Sequence, residues 1–446
     1  MKIIGLTSRV AVLGLGLACL VPPVVRAEGE SSEPPKVPPA EVSKRVDDLQ
    51  KEIERLQSEL LTLKKQVSES SAPSAAPTPS LPASSSPDSP AATPAAPSPP
   101  PAAGWPASLD LKAFVDGYYN YNFNQPRPRV SSLRAFDGPS NQFALNLIEL
   151  TLAKSPDATN SRLGFNLTLG YGNAMNVVNS TDPGGLGFAQ YLKEAYFSYL
   201  APVGKGLLVD FGKFVTQHGA EVIESKDNWN YSRGLLFTYA IPFYHFGLRA
   251  KYAFSDKYQV TGYLVNGWND IVDNNTGKTF GVQVGWNPTK KLAVVQNYML
   301  GPEQPANNQN LRQLTDTVVT YSPTTRLSLM LNYDYGRGDR IAGLPRPVWW
   351  SGVAGYARYA FSSRYAVATR YEYYDDHDGF TTGAVQHLNE FTGTFERLIA
   401  GHLITRLEFR RDISNQPSFL KGNLPVSGQN TMAGGLIFVF DSQETK

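Results

Sequence analysis

Between residues 109 and 440 the chain repeats short segments in which apolar and polar side chains alternate. The clearest segment has apolar residues at every second position, at Leu163, Phe165, Leu167, Leu169 and Tyr171. A period of two places alternate side chains on opposite faces of a β-strand. The other set is rich in Asn, Thr, Gly and charge, which suits a lumen filled with water while the apolar set faces lipid. The pattern predicts an all-β fold, a transmembrane antiparallel β-barrel of about 16 strands.

The connections between the predicted strands alternate between short turns and long loops. The long loops are expected at 124–140, 173–187, 217–242, 268–277, 302–310, 337–346, 376–386 and 414–428. This asymmetry is typical of outer-membrane barrels and places both chain termini at the short-turn end, in the periplasm. The last strand carries Gly435, Phe438 and Phe440, a pattern that resembles the C-terminal assembly signal of bacterial outer-membrane proteins.

Residues 1–27 have the pattern of an export signal that is removed from the mature chain. Positive charge at Lys2 and Arg9 precedes an apolar run over residues 10–20. The single cysteine, Cys19, lies inside this signal, so we expect no disulfide; lipid attachment at Cys19 is the alternative. No later apolar stretch reaches the roughly 18 residues of a transmembrane helix.

Residues 41–69 carry a heptad repeat that predicts a parallel coiled-coil helix. The a positions hold Val46, Ile53, Leu60 and Val67, and the d positions hold Leu49, Leu56 and Leu63. This choice favours two strands, and an amphipathic helix packed on another surface is the alternative. Residues 70–106 are mostly Pro, Ala and Ser and predict an extended linker to a barrel of residues 107–441. The helix would stand in the periplasm, where it could contact the cell wall.

Charge and motifs narrow the function. The 41 basic and 39 acidic residues leave a formal net charge of +2, which gives no argument for a nucleic-acid partner. The chain has no convincing nucleophile elbow, zinc-protease motif or phosphate-binding glycine loop. We therefore expect neither an enzyme nor a bound cofactor.

Four segments of the barrel region resemble a known family. They are FVDGYYNYNFNQP (114–126), FGKFVTQHGAEVI (211–223), NWNYSR (228–233) and PFYHFGLRAKY (242–252). They resemble the OmpL-like β-barrel porins of bacterial outer membranes, and the resemblance spans essentially the whole barrel. It implies an outer-membrane barrel with porin-like activity and does not extend to a solute or to the N-terminal region.

Charged residues best indicate which alternate positions of a strand face the lumen and which face lipid. An Arg or Lys on the lipid face near the midplane would cost about 2–4 kcal/mol. The predicted lumen side accordingly carries Glu194, His245, Arg249, Lys251, Arg370, Glu372, Glu390, Glu396, Arg406, Glu408 and Arg410. The basic residues could form a ladder that faces the acidic ones across a narrow pore and filters solutes by charge. The alternative is a wall of Arg and Glu paired between neighbouring strands, without a role in selectivity.

The longest predicted loop, 217–242, either folds inward and constricts the pore or remains outside as a cap or subunit contact. In the favoured inward arrangement the selectivity residues would be Glu221, Glu224, Asp227 and Arg233. His218 with Glu221 and Glu224, and the acidic tip 375–378, contain residue types that bind metals. The first group has i, i+3, i+6 spacing without other evidence for a helix, and the second resembles a polar loop tip with too few fixed oxygen ligands for a hard cation. We expect no specific metal site at either.

Two functions follow from these patterns. The leading one is an outer-membrane porin for passive diffusion of small hydrophilic solutes, embedded in lipid and assembled as a homo-oligomer. A trimer is favoured over a dimer because general porins with sixteen strands are usually trimers, although the heptads favour two chains. The alternative is a structural or adhesive envelope protein, in which the barrel only anchors a periplasmic coiled-coil tether.

Overall fold

The computed structural model of the protein describes residues 109–338 and 346–442. Sixteen antiparallel strands form a closed barrel, in which successive strands are neighbours and the first pairs with the last. The predicted all-β barrel of 16 strands is confirmed. The predicted signal peptide (1–27), coiled coil (41–69) and linker (70–106) lie outside the described residues.

The strands are numbered here in chain order. They are β1 (Asp110–Asn122), β2 (Gln142–Lys154), β3 (Leu163–Tyr171), β4 (Leu192–Ala201), β5 (Leu207–Val215), β6 (Tyr244–Ser255), β7 (Tyr258–Val265), β8 (Thr279–Thr289), β9 (Leu292–Gln304), β10 (Asn307–Tyr321), β11 (Leu327–Gly338), β12 (Val348–Ala360), β13 (Tyr365–Asp376), β14 (Gln386–Ile399), β15 (Leu403–Ser414), β16 (Phe419–Lys421), β17 (Leu424–Val426) and β18 (Gly428–Asp441). The short strands β16 and β17 form a separate hairpin inside the predicted loop 414–428, and the other sixteen form the barrel.

The sequence alternation appears directly as alternating burial along the strands. In β13, Thr369 and Tyr371 are exposed on the outer surface, whereas Arg370 and Glu372 are fully buried inside. The outer surface is strongly apolar, with exposed side chains such as Phe143, Leu163, Leu407 and Leu436. An apolar exterior around a polar interior is the arrangement expected of a barrel in a bilayer.

Within the described residues, helical structure is confined to the connections between strands. The loop after β3 contains α1 (Asn173–Val178) and α2 (Leu186–Ala189). The connection between β5 and β6 contains a 3₁₀ turn (Ser225–Asp227) and a π-helical turn (Leu236–Ala240). None of the helices in the described part of the chain has the length and hydropathy needed to span a bilayer.

The predicted long loop at 302–310 is wrong, because β9 and β10 continue into a tight hairpin there. Gln304 pairs with Asn307, and Ala306 between them adopts a positive φ of 53°. The Asn- and Gln-rich composition suggested a loop. In the structure these side chains satisfy the backbone: the Asn307 carboxamide oxygen accepts hydrogen bonds from the N–H groups of Gln309 and Asn310.

Candidate functional site

Residues 217–242, which we call the strap, connect β5 to β6 through the interior of the barrel. The strap is hydrogen-bonded to wall side chains on β1, β4, β11, β12, β13, β14 and β15. Most of its side chains are buried, and Tyr231 and Ser232 are completely so. The strap therefore occupies the lumen instead of covering one end of the barrel.

Three predicted lumen arginines hold the strap by its backbone carbonyls. Arg406 donates to the carbonyls of Ser225 at 2.5 Å, Asn228 at 2.7 Å and Asn230 at 3.1 Å. Arg370 donates to the Ser232 carbonyl at 2.7 Å, and Arg410 to the Arg233 carbonyl at 2.7 Å. Such charge-assisted bonds are stronger than neutral ones and gain further in a buried environment.

The same arginines are also neutralised by carboxylates beside them. Arg370 pairs with Glu390 on β14 at 2.8 Å, and Arg406 pairs with Glu396 at 2.7 Å. Arg410 pairs with Asp412 on its own strand at 2.8 Å. These partners stand on the same or a neighbouring strand instead of facing each other across the lumen.

Two predicted lumen glutamates receive the strap's backbone N–H groups. Glu408 accepts from Tyr231 at 2.6 Å and from Ser232 at 3.0 Å. Glu372 accepts from Leu235 at 2.6 Å and from Leu236 at 3.3 Å. Both carboxylates are buried. The bonds also satisfy backbone donors that irregular structure would otherwise leave unpaired in the interior.

Glu221, a predicted constriction residue, connects the wall to the strap. One of its carboxylate oxygens accepts from Arg370 at 2.5 Å, and the other accepts from the Gly234 N–H at 2.6 Å. Arg233 donates to the carbonyls of Tyr231 and Ile223 within the strap. Both side chains therefore fix the conformation of the strap.

Wall residues on β1, β11 and β18 also contribute to holding the strap, and sequence reasoning missed them. Asp116 on β1 accepts from the Tyr231 hydroxyl at 2.6 Å and from the Ser225 hydroxyl at 2.7 Å. Asn332 accepts from the Ala220 N–H at 3.1 Å. Gly435 makes room for the strap, because a Cβ there would lie 2.5 Å from the Tyr231 ring.

A register shift between β3 and β4 creates the acidic side of the site. Thr168 pairs with Glu194, but the next residue pairs with Leu192, so Lys193 is an extra residue in β4. The buried Lys193 ammonium contacts both Glu224 of the strap and Glu149 of β2. Glu194 accepts from the Val215 N–H at 3.1 Å. Simple alternation would have placed only one of Lys193 and Glu194 inside.

The remaining predicted lumen residues lie at the root of the strap and below it. The His245 and His218 rings both lie within hydrogen-bonding distance of the Thr216 hydroxyl, at 3.2 Å. Arg249 pairs with Asp210 at 2.8 Å, while Lys251 is exposed. The ion pair of Arg249 is therefore with a wall residue and not with the strap.

The two groups considered for metals have other partners. Glu221 and Glu224 pair with Arg370 and Lys193, as described above. In the acidic tip, Asp376 accepts from the N–H groups of Phe380, Thr381 and Thr382, and the His377 ring stacks on Trp349 at 3.9 Å. Within residues 109–338 and 346–442, no cluster of three metal-ligating side chains is present.

One side of the strap leaves open space. A cavity of about 340 Å³ separates the strap from β5 and the segment before β6. Its lining consists of Val215, Thr216, Glu221, Val222, Ile223, Glu224, Asp227, Phe237 and Phe243. The strap therefore narrows the interior of the closed barrel and leaves this cavity on one of its sides.

Comparison with known proteins decides the family. The profile described as "Putative beta-barrel porin-2, OmpL-like" matches residues 108–440, which is most of the chain. The chain belongs to this family. Its resemblance to OmpL-like porins, recognised from four sequence segments, is thereby confirmed. No curated protein matches the sequence.

Solved structures agree with the fold of this family member. An anion-selective porin from Comamonas acidovorans superposes with a TM-score of 0.52 at 10% identity, covering 75% of this chain and 99% of that chain. Outer-membrane expressed OmpT of Vibrio cholerae superposes with a TM-score of 0.50 at 12% identity, covering 74% and 97%. At these identities the likeness concerns the barrel fold alone. Family and fold are those of outer-membrane porins.

Proposed function

We propose that this protein is a porin through which small hydrophilic solutes diffuse passively, and that the strap sets the width of the path. The observation that carries the proposal is the strap itself, which lies inside a closed barrel and is fastened to nearly opposite parts of its wall. Arg370 on β13 holds the strap from one side, and Lys193 on β4 holds it from the other side through Glu224. Fixed polar groups around a narrow lumen are the usual basis of selectivity in channels.

The predicted pore-lining charges have different roles in this proposal. Arg370, Arg406 and Arg410 position the strap, since strap carbonyls and nearby carboxylates occupy them. Glu224 and Asp227, on the open side of the strap, face the solutes. The two cations on β6, Arg249 and Lys251, line the lumen below the strap.

The orientation and assembly also remain proposals. We propose that the short-turn end faces the periplasm; the coiled coil (41–69) and the linker (70–106) stay predictions from the sequence. The export signal, residues 1–27, is absent from the mature chain. The barrel assembles as a homo-oligomer with a trimer favoured, in keeping with the trimeric form described for OmpT of Vibrio cholerae.

The test is the electrical conductance of the purified full-length protein in a planar lipid bilayer. Discrete and stable current steps are expected, because the lateral cavity leaves room beside the strap. The same detergent solution with heat-unfolded protein provides the control and should give no steps. A folded barrel that never conducts would contradict the proposal.

A second candidate is the envelope tether, which one observation favours. At the level of the strap the lumen is densely filled, and Arg370, Glu372, Glu390 and Arg410 are at most 1% exposed. In that case the barrel only anchors the N-terminal helix to the layer below. Deleting residues 28–106 should then weaken the envelope while conductance is absent throughout.

A further inference from the structure

The cavity beside the strap differs in charge from the rest of the lumen. We propose that this cavity is the solute path and that it favours organic cations with a small apolar group, the class of alkylammonium ions. The inference rests on the proposed porin function and names the solutes of that same channel. Three features of the cavity support this inference. Carboxylates outnumber bases around it, its lining contains no Lys or Arg, and much of the lining is apolar.

Carboxylates outnumber bases around the cavity. Glu224 and Asp227 line it, and Glu194 lies behind it, bonded to the N–H of the lining residue Val215. The Lys193 ammonium contacts Glu224 but is shared with Glu149. One ammonium between two carboxylates leaves a net negative charge.

The other charged groups near the cavity do not reverse this sign. Lys226 pairs with its neighbour Asp227 at 2.5 Å, and that pair is partly exposed, with 54% of the Asp227 side chain accessible. Lys213 is not among the residues that line the cavity, and its ammonium donates to the Leu192 carbonyl at 2.6 Å. Arg249 is neutralised by Asp210. The field inside the cavity therefore attracts cations and repels anions.

Glu221 has no part in this attraction. Both of its carboxylate oxygens are occupied, by Arg370 and by the Gly234 N–H. Glu224 has only one oxygen in contact with Lys193, and Asp227 is the most exposed acid of the lining. An ammonium group entering the cavity would meet these two carboxylates first.

The rest of the cavity lining is mostly apolar. It includes Val215, Ile223, Phe237 and Phe243, and also Val222, which is 41% exposed. Burying one methylene group of a solute against such a surface raises the solute's binding constant about fourfold. Water has no apolar group to bury there. An ammonium ion with a short alkyl chain can pair with the carboxylates and also pack against the apolar side chains. A carboxylate ion of the same size can only pack against the apolar side chains.

The test measures reversal potentials of the full-length protein in planar bilayers. One salt is n-butylammonium chloride and the other is potassium butyrate, so the organic ions have matched size. We expect n-butylammonium to permeate better than butyrate. Asp227→Asn should lower this preference about fourfold, the effect of one charge about 5 Å from the path in a water-like dielectric.

Glu224→Gln provides the second variant and should act in the same direction, with Lys193 still paired to Glu149. Asp157→Asn is the matched control, since Asp157 lies in a short turn and accepts from the Asn160 N–H at 3.0 Å, which asparagine can also do. The control should keep the wild-type preference. Asp227 is exposed enough that its variant should fold like the wild type.

The outcomes separate this inference from the function on which it rests. Stable conductance with a preference for butyrate, or with no change in Asp227→Asn, would overturn the alkylammonium path and leave the porin intact. Absence of any conductance by the folded wild type would overturn the porin and the inference with it. Preference for n-butylammonium that falls in both variants supports the inference.

Discussion

The two sides of the strap are built differently. Towards β13, β14 and β15, guanidinium and carboxylate groups are buried and mutually paired, and Arg370 alone contacts Glu221, Glu390 and Glu372. Towards β4 and β5, a cavity of about 340 Å³ remains, with an exposed valine and partly exposed carboxylates.

This difference shows how one lumen can hold a segment firmly and still leave a path. Buried ion pairs in a low dielectric are rigid when every partner is hydrogen-bonded. Removing one partner strongly destabilises the fold, because the other charge is left buried and unpaired. Exposed pairs contribute little to stability but keep their charge available to solutes. The paired side therefore positions the strap, and the open side faces the solutes.

The largest effect is expected from Arg370→Ala on the paired side. The variant removes the Arg370 cation from Glu221 and Glu372 and leaves Glu390 with Arg410 alone. Removing one partner from such a network costs about 3–5 kcal/mol. Lys226→Ala on the open side is the matched comparison and should cost about 0–1 kcal/mol. The measurement is the free energy of unfolding in urea for each purified variant.

Equal decreases in the free energy of unfolding for Arg370→Ala and Lys226→Ala would contradict the distinction between the two sides of the strap. A double variant that adds Glu221→Gln to Arg370→Ala refines the comparison. It should recover part of the loss, because one of the stranded carboxylates is neutralised.

A smaller effect is expected from Tyr231→Phe, which tests the hold of β1 on the strap. The variant removes the 2.6 Å bond to Asp116 and leaves that buried carboxylate with fewer donors, at a cost of about 1–3 kcal/mol. Tyr371→Phe is the control, since its hydroxyl bonds Asn389 on the exposed outer surface. Urea unfolding of both variants provides the measurement, and a larger loss in Tyr371→Phe would contradict this assignment.

The barrel was predictable because its physics is local and periodic. Inward charges such as Arg370 and Glu372 lie between exposed Thr369 and Tyr371, so alternation alone identified the faces. The hairpin at 304–307 was missed because side-chain bonds from asparagines, which sequence composition does not reveal, hold it together.

The partners of the site residues were not predictable. The strap has no apolar–polar periodicity, so nothing in its sequence shows that its carbonyls meet Arg406. Asp116 escaped notice because its inward neighbours along β1, Phe114 and Tyr118, are apolar. Lys193 depends on a register shift that interrupts the alternation. Such contacts are tertiary, and only the folded chain defines them.

The most direct test of the account is the single-channel conductance of a protein whose strap residues 225–236 are replaced by a short Gly/Ser linker. The central claim is that the strap narrows the lumen, so this variant should conduct markedly more than the wild type and should lose its charge preference. Unchanged conductance in a correctly folded variant would contradict the claim.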